Sequence, residues 1–294
     1  MPIEVISLKY GKIFKRVFGQ PEVFQQFARD ILGIELNISE VHTEYEYPEP
    51  VGFVRSQYDL FAEDTEQRVI VEIQHVKEED FFDRFLYYHL ISLIEQVRGF
   101  REYGFDRTVY TIVVLTSVPR DDTVNFSCAV SDMSPTDEQG RSVAVYPHRL
   151  VFLVPRLVNE HTPPAVYKWL EFIADSLDGS MEARDDGLFQ SMIEAMRKQT
   201  IDPDLLSEIK DEAAWELAKA RFAREAREDG LTEGLEKGLE KGLEKGREEG
   251  ALAQQRKMVL QAVQMGMDAA AIATLTGLSA SEVQEILSST TEKP

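Results

Sequence analysis

The stretch 56–74 constrains the fold more tightly than any other. Residues 56–62 read as one strand and 68–74 as a second. Val69, Ile70, Val71 and Ile73 are β-branched, which suits a strand buried on at least one face. Between the strands, Asp64-Thr65-Glu66-Gln67 is a polar run suited to a hairpin loop. If Glu63 pairs with Arg68 around that loop, Asp59 lies opposite Glu72, with Cβ atoms about 5 Å apart. Glu72 and Gln74 are two residues apart, so strand alternation puts them on one side, expected to be that of Asp59.

The flanking segments supply the rest of an α/β sandwich, a mixed sheet flanked by helices. Residues 9–32 read as two short helices broken at Gln20-Pro21, with Pro21 at a first helical position. Residues 38–47 and 51–54 alternate weakly and are expected to hold a first strand. From 79 to 98, Phe82, Phe85, Leu86, His89, Leu93 and Val97 recur at helical intervals. The nearly unbroken apolar run 109–115 suits a buried central strand. Further strands are expected at 143–146 and 150–154, and mostly helix over 160–228.

A short-period repeat follows. Glycine stands at 230, 234, 238, 242, 246 and 250, and leucine at 231, 235, 239 and 243. On a helix these make two neighbouring stripes, yet each interior glycine costs roughly 1 kcal/mol against alanine. Such a helix needs a partner, so two readings stand, an oligomerisation helix and a flexible charged linker. At 252–288 a helical unit is expected, with Asp268 capping a helix from Ala269. Gly277 makes a turn, and Ser279 with Glu282 forms a capping box. The organisation is therefore a core over 1–158, a helical extension over 159–228, the repeat over 229–251 and a helical unit over 252–290.

Two carboxylates as close as Asp59 and Glu72 repel unless they are protonated or neutralised. A divalent cation is the usual neutraliser, and Mg²⁺ favours one or two carboxylates completed by water and phosphate oxygens. The backbone carbonyl of Ile73 can add an oxygen. The bland alternative is a half-exposed hairpin with a polar wet face. Arg84 is placed to reach a phosphate or to hold Glu72. Tyr88 and Gln96 share its helix. His75, one residue past Gln74, is expected to face the other way in a structural role. No phosphate-binding glycine loop, dinucleotide fingerprint or zinc-type Cys/His set is present.

The formal net charge of -20 argues against a protein that coats nucleic acid, so any DNA contact is expected through a local patch. One cysteine, Cys128, allows no internal disulfide. With no signal-peptide pattern and no apolar run near ~18 residues, a cytoplasmic chain without a membrane span is expected. The last helix carries Glu282 and Glu285 and no basic residue. That favours protein interaction or self-association through 229–290 over DNA reading.

In order along the chain, several motifs resemble one family. Lys12-Ile13-Phe14-Lys15-Arg16-Val17-Phe18 looks like its opening helix, Gln57-Tyr58-Asp59-Leu60 like its aspartate strand, and Val69-Ile70-Val71-Glu72-Ile73-Gln74 like its ExQ strand. Arg84 to Tyr88, then Gln96, Gly99 and Tyr103, look like the helix that follows. The chain resembles the recombination-promoting nuclease family of the PD-(D/E)XK superfamily, often labelled transposase. The resemblance implies a restriction-endonuclease-like fold and a Mg²⁺-dependent DNA endonuclease. In it Asp59 and Glu72 bind metal, and Gln74 takes the position that is lysine in most of the superfamily. Gln74 carries no charge, so it can orient water or phosphate only through hydrogen bonds. Gly11 stands where relatives often carry an acidic residue. A nuclease-like scaffold that no longer cuts, and assembles partners through its tail, is the alternative.

Overall fold

The computed structural model describes residues 2–48, 56–75, 81–97, 104–118 and 124–291. A two-residue strand, β1 (Ile3–Glu4), leads into helices α1 (Gly11–Phe18) and α2 (Pro21–Leu32). They break where expected, at Gln20-Pro21. Gly33 ends α2 in the left-handed conformation (φ 70°) that glycine adopts without a Cβ penalty. The buried faces are Ile13, Phe14, Val17 and Phe18 on α1 and Val23, Phe24, Phe27 and Ala28 on α2.

Next come β2 (His42–Glu46), β3 (Gln57–Glu63) and β4 (Gln67–Gln74). The expected strand at 38–47 is thus its second half, and 51–54 lie outside the described residues. β3 and β4 form the expected antiparallel hairpin with Glu63 opposite Arg68. Asp64 shapes the loop by accepting the Glu66 and Gln67 N–H groups at 2.9 and 2.8 Å. Helix α3 (Phe81–Ile94) then leads to β5 (Thr108–Leu115), parallel to β4. Leu86, expected on the buried stripe of α3, is 40% exposed. Phe85, His89, Ser92 and Leu93 make the buried face.

β6 (Cys128–Asp132) and β7 (Arg149–Leu153) complete a six-stranded mixed sheet of order β2-β3-β4-β5-β7-β6. No strand forms at 143–146. Those residues belong to an irregular excursion between β6 and its antiparallel neighbour β7, where Val143, Val145 and Tyr146 are exposed. Their alternation has no neighbouring ladder to join. β6 escaped the sequence reading because it is an edge strand whose last three residues are exposed, leaving little apolar pattern.

Helix α4 (Pro164–Leu177), strand β8 (Ser180–Met181) and helix α5 (Gly187–Met196) follow, and β8 pairs with β1. Trp169 is fully buried against Phe18 and Phe27 and donates its indole N–H to Asp30 at 2.8 Å. One core therefore joins α1, α2, α4 and α5 to the sheet side that carries Leu60, Val69, Val71, Ile112 and Val114. The opposite side packs under α3, with Tyr58, Phe61 and Ile70 in one cluster and Phe85, Val113 and Leu115 in another. Arg68, 4% exposed, ties the loop end of β4 to α3 and its end through Ser92 O and Glu95, and to β3 through Glu63.

Contacts divide the chain into two units, Met1–Trp215 and Glu216–Pro294. Helix α6 (Pro203–Gln264) contains the whole glycine-leucine repeat, so the repeat is helical. In the second unit, α7 (Ala269–Thr276) and α8 (Ala280–Thr291) close a small core of Val259, Ala262, Ile272 and Val283. Their caps are as expected. Asp268 accepts from Ala271 N–H, Gly277 has φ 73°, and Ser279 and Glu282 exchange hydrogen bonds. Among the described residues no helix is long and apolar enough to cross a membrane.

Candidate active site

Regular pairing of β3 with β4 stops at Leu60 opposite Val71. One step further, Asp59 and Glu72 replace the backbone ladder with crossed side-chain bonds. The Asp59 N–H donates to Glu72 Oε1 at 3.1 Å, and the Ile73 N–H donates to Asp59 Oδ2 at 3.0 Å. Alternation breaks at the same place. Tyr58 and Phe61 pack together under α3, although three residues apart, while Leu60 and Ala62 pack on the other side. Asp59 stands at that kink, so the two acids meet by a local distortion, beyond what opposed pairing alone gives.

Burial makes the pair costly. Glu72 is 5% exposed, and the Asp59 side chain keeps 26%. Desolvation lifts both carboxyls above their ordinary range, Glu72 well above it, and the Asp59 charge pushes Glu72 up further. Their backbone hydrogen bonds, Lys15 and Arg84 act against the rise.

The kink in β3 has a counterpart in β2. Register is the same on both sides of it, Thr43 opposite Leu60 and Tyr45 opposite Tyr58, which leaves Glu44 across from Asp59. Glu44 has φ 54°, the one non-glycine residue with positive φ among the described residues. Its carboxylate accepts from Lys15 Nζ at 2.7 Å, and that same ammonium lies 3.9 Å from Asp59 Oδ1. Lys12 stands 3.7 Å from Glu44 and 3.1 Å from Glu208 of α6. Glu44 and Lys15 were not anticipated. Lys15 was visible only as one position of the opening helix motif, and nothing local ties Glu44 to it. At Gly11, α6 supplies an acid from elsewhere: the Gly11 N–H donates to Glu212 Oε1 at 2.8 Å.

On the α3 side, Arg84 Nη2 donates to Gln74 Oε1, and the Gln74 amide donates to the His75 carbonyl at 3.2 Å. Arg84 therefore meets Gln74, not Glu72, by hydrogen bond. Tyr88 accepts the Tyr58 hydroxyl on its backbone carbonyl at 3.1 Å and stacks edge-on to that ring at 5.6 Å. Burial, Glu72 and Asp59 all raise its phenol above the ordinary range. His75 bonds Thr116 at 3.2 Å. Gln96 is buried and clamps the Arg107 backbone through both amide atoms, a structural role away from the acids. Gly99 and Tyr103 lie outside the described residues.

A family model described as PD-(D/E)XK nuclease family transposase matches residues 12–213. The chain belongs to this family. No curated protein and no solved structure matches it. The matched span runs from α1 through the sheet, α4 and α5 into the start of α6. It includes the acidic pair, Gln74 and the Lys15–Glu44 contact. Membership in this family points to nuclease chemistry.

The donor set suits a hard cation. Two carboxylates meet, each with one oxygen fixed by a backbone N–H of the neighbouring strand, which leaves its second oxygen for a ligand. In a strand the N–H and C=O of one residue point to the same edge. The Ile73 carbonyl is therefore directed to the side on which its N–H meets Asp59. Among the described residues no group of three or more His, Cys, Asp or Glu gathers as a cage. Mg²⁺, which completes its octahedron with water and phosphate, needs only so sparse a set.

Proposed function

We propose that the protein is a Mg²⁺-dependent DNA endonuclease that hydrolyses phosphodiester bonds, in the service of recombination or mobile elements. The observation that carries this reading is the meeting of Asp59 and Glu72 at the kinked end of the hairpin. A buried glutamate and a half-buried aspartate held there at a cost in stability make sense if a divalent ion offsets them. Asp59, Glu72 and the Ile73 carbonyl would hold the ion, and a divalent ion there would supply a more acidic water and compensation for charge on the phosphate.

The chain's own groups do the positioning. The Asp59 and Ile73 N–H bonds fix the carboxylate planes. Arg84 holds the Gln74 carbonyl oxygen and the His75 carbonyl takes one amide hydrogen, so the Gln74 amide has a set orientation, and its second hydrogen can bond the phosphate or the attacking water. The Tyr58–Tyr88 contact seats α3, and with it Arg84, against the hairpin. DNA meets this local patch despite the acidic balance of the whole chain.

Nicking of supercoiled plasmid tests the reading. Wild-type protein is expected to nick in Mg²⁺ and not in EDTA. Asp59→Asn and Glu72→Gln are each expected to lose at least about 100-fold while melting as folded proteins. Wild-type rates in either variant reject the assignment. A second reading is a scaffold that does not cut and assembles partners through its tail. The uncharged Gln74 and the exposed repeat leucines of α6 favour it. Mg²⁺ binding with no nicking of any DNA form would select it.

A further inference from the structure

Phosphodiester hydrolysis builds negative charge on the phosphate oxygens, and a fixed cation aimed at that charge speeds the reaction. Gln74 cannot supply one. Among the described residues, two cations act on both acids: Arg84, which is turned onto Gln74, and Lys15. Resting on the nuclease reading above, we infer that the Lys15 ammonium contacts the scissile phosphate and that Glu44 is its positioning residue.

Lys15 is placed rigidly. Its helix is anchored by Ile13, Phe14, Val17 and Phe18, all fully buried, so the backbone that carries Lys15 has little freedom. The Lys15 side chain is only 14% exposed, unusual for a lysine. An ammonium has three donors, and Glu44 takes one at 2.7 Å. The separation of 3.9 Å from Asp59 Oδ1 is too long for a hydrogen bond and short enough for both groups to meet one phosphate. Helix α1 carries Lys12, Lys15 and Arg16 and no acid, a basic element in a chain of net charge -20.

Glu44 adds an independent observation. A glutamate at φ 54° holds a conformation that L side chains seldom adopt, and such strain persists where surrounding structure enforces it. The β2–β3 register is unchanged on either side, so no slip in pairing requires the kink. The gain that goes with it is the carboxylate on Lys15.

The test compares wild type, Lys15→Met, Lys15→Arg, Glu44→Gln and Asp59→Asn. Single-turnover nicking is measured in Mg²⁺, and binding to a short duplex is measured in EDTA over a salt series. Lys15→Met is expected to nick about 100-fold slower or worse, with Lys15→Arg recovering at least a tenth of the wild-type rate. In EDTA, Lys15→Met is expected to lower the slope of log affinity against log salt by about one. Glu44→Gln is expected to slow nicking with the slope unchanged. Nicking by Lys15→Met within threefold of wild type, while Asp59→Asn is dead, overturns the inference and leaves the nuclease reading intact. Slow nicking with an unchanged salt slope and no recovery in Lys15→Arg also overturns it, since a purely structural lysine behaves so. Absence of Mg²⁺-dependent nicking in wild type overturns the nuclease reading itself.

Discussion

Glu72 shows how a functional residue opposes stability. Its carboxyl is raised by burial and by Asp59, so the fold favours the protonated form. The stability it contributes is present below the ordinary glutamate range and is lost as pH rises through the raised value. At neutral pH without metal it is a liability. Glu72→Gln is therefore expected to raise stability in EDTA by about 1 kcal/mol, roughly 2–4 °C in melting. Mg²⁺ is expected to stabilise wild type and to do little for the variant, because only a state that binds the ion gains from it. Melting curves with EDTA and with Mg²⁺ decide the matter. A lower melting point for Glu72→Gln in EDTA would mean the carboxylate serves the fold through its bond from the Asp59 N–H.

At the level of elements, α3 matters because it carries Arg84 and Tyr88 to the hairpin, and a histidine sits in its seat. His89 is fully buried between α3 and β5. Its Nδ1 bonds the Thr111 hydroxyl at 2.9 Å, and its Nε2 has no hydrogen-bond partner among the described residues. Burial, helped by His148, holds its pKa down at about 4. Unfolded chain takes up the proton near the ordinary value of 6.5, whereas the fold resists it until about 4. The contribution is thus complete above 6.5 and lost as pH falls towards 4. Between pH 7 and pH 5, wild type is expected to lose about 2 kcal/mol more than His89→Gln, a difference in which other acid titrations cancel. Urea denaturation at both pH values measures it, and parallel losses would show that His89 is protonated in place.

At the scale of the whole molecule, the repeat of α6 is exposed along its length. Leu231, Leu235, Leu239 and Leu243 are 57–67% exposed, and a Cβ added at any repeat glycine would meet nothing within 4 Å beyond its own turn of helix backbone. An apolar stripe of this size beside a smooth one invites a second helix, and the interleaved Glu and Lys of a second copy complement it. Light scattering is expected to give a dimer or larger assembly for the full chain and a monomer after deletion of 229–290. A monomeric full chain would leave the repeat as a solvated spacer.

Sequence alone determined what depends on local periodicity. The hairpin register was legible because β-branched residues flank a polar loop of fixed length and a slip of one residue would expose a buried face. The break at Pro21, the caps at Asp268 and Ser279, and the pairing that brings Asp59 near Glu72 follow from the same short-range rules. Residues 143–146 misled because alternation makes a strand only where a neighbour offers a ladder, and edge strand β6 was hidden by its exposed residues. Tertiary structure alone decided the kink at Asp59, the strained Glu44 opposite it, and the approach of Lys15 from α1. Those three lie on separate elements, far apart in the chain. Their meeting depends on how one core packs α1 over the sheet, and no local pattern carries that information.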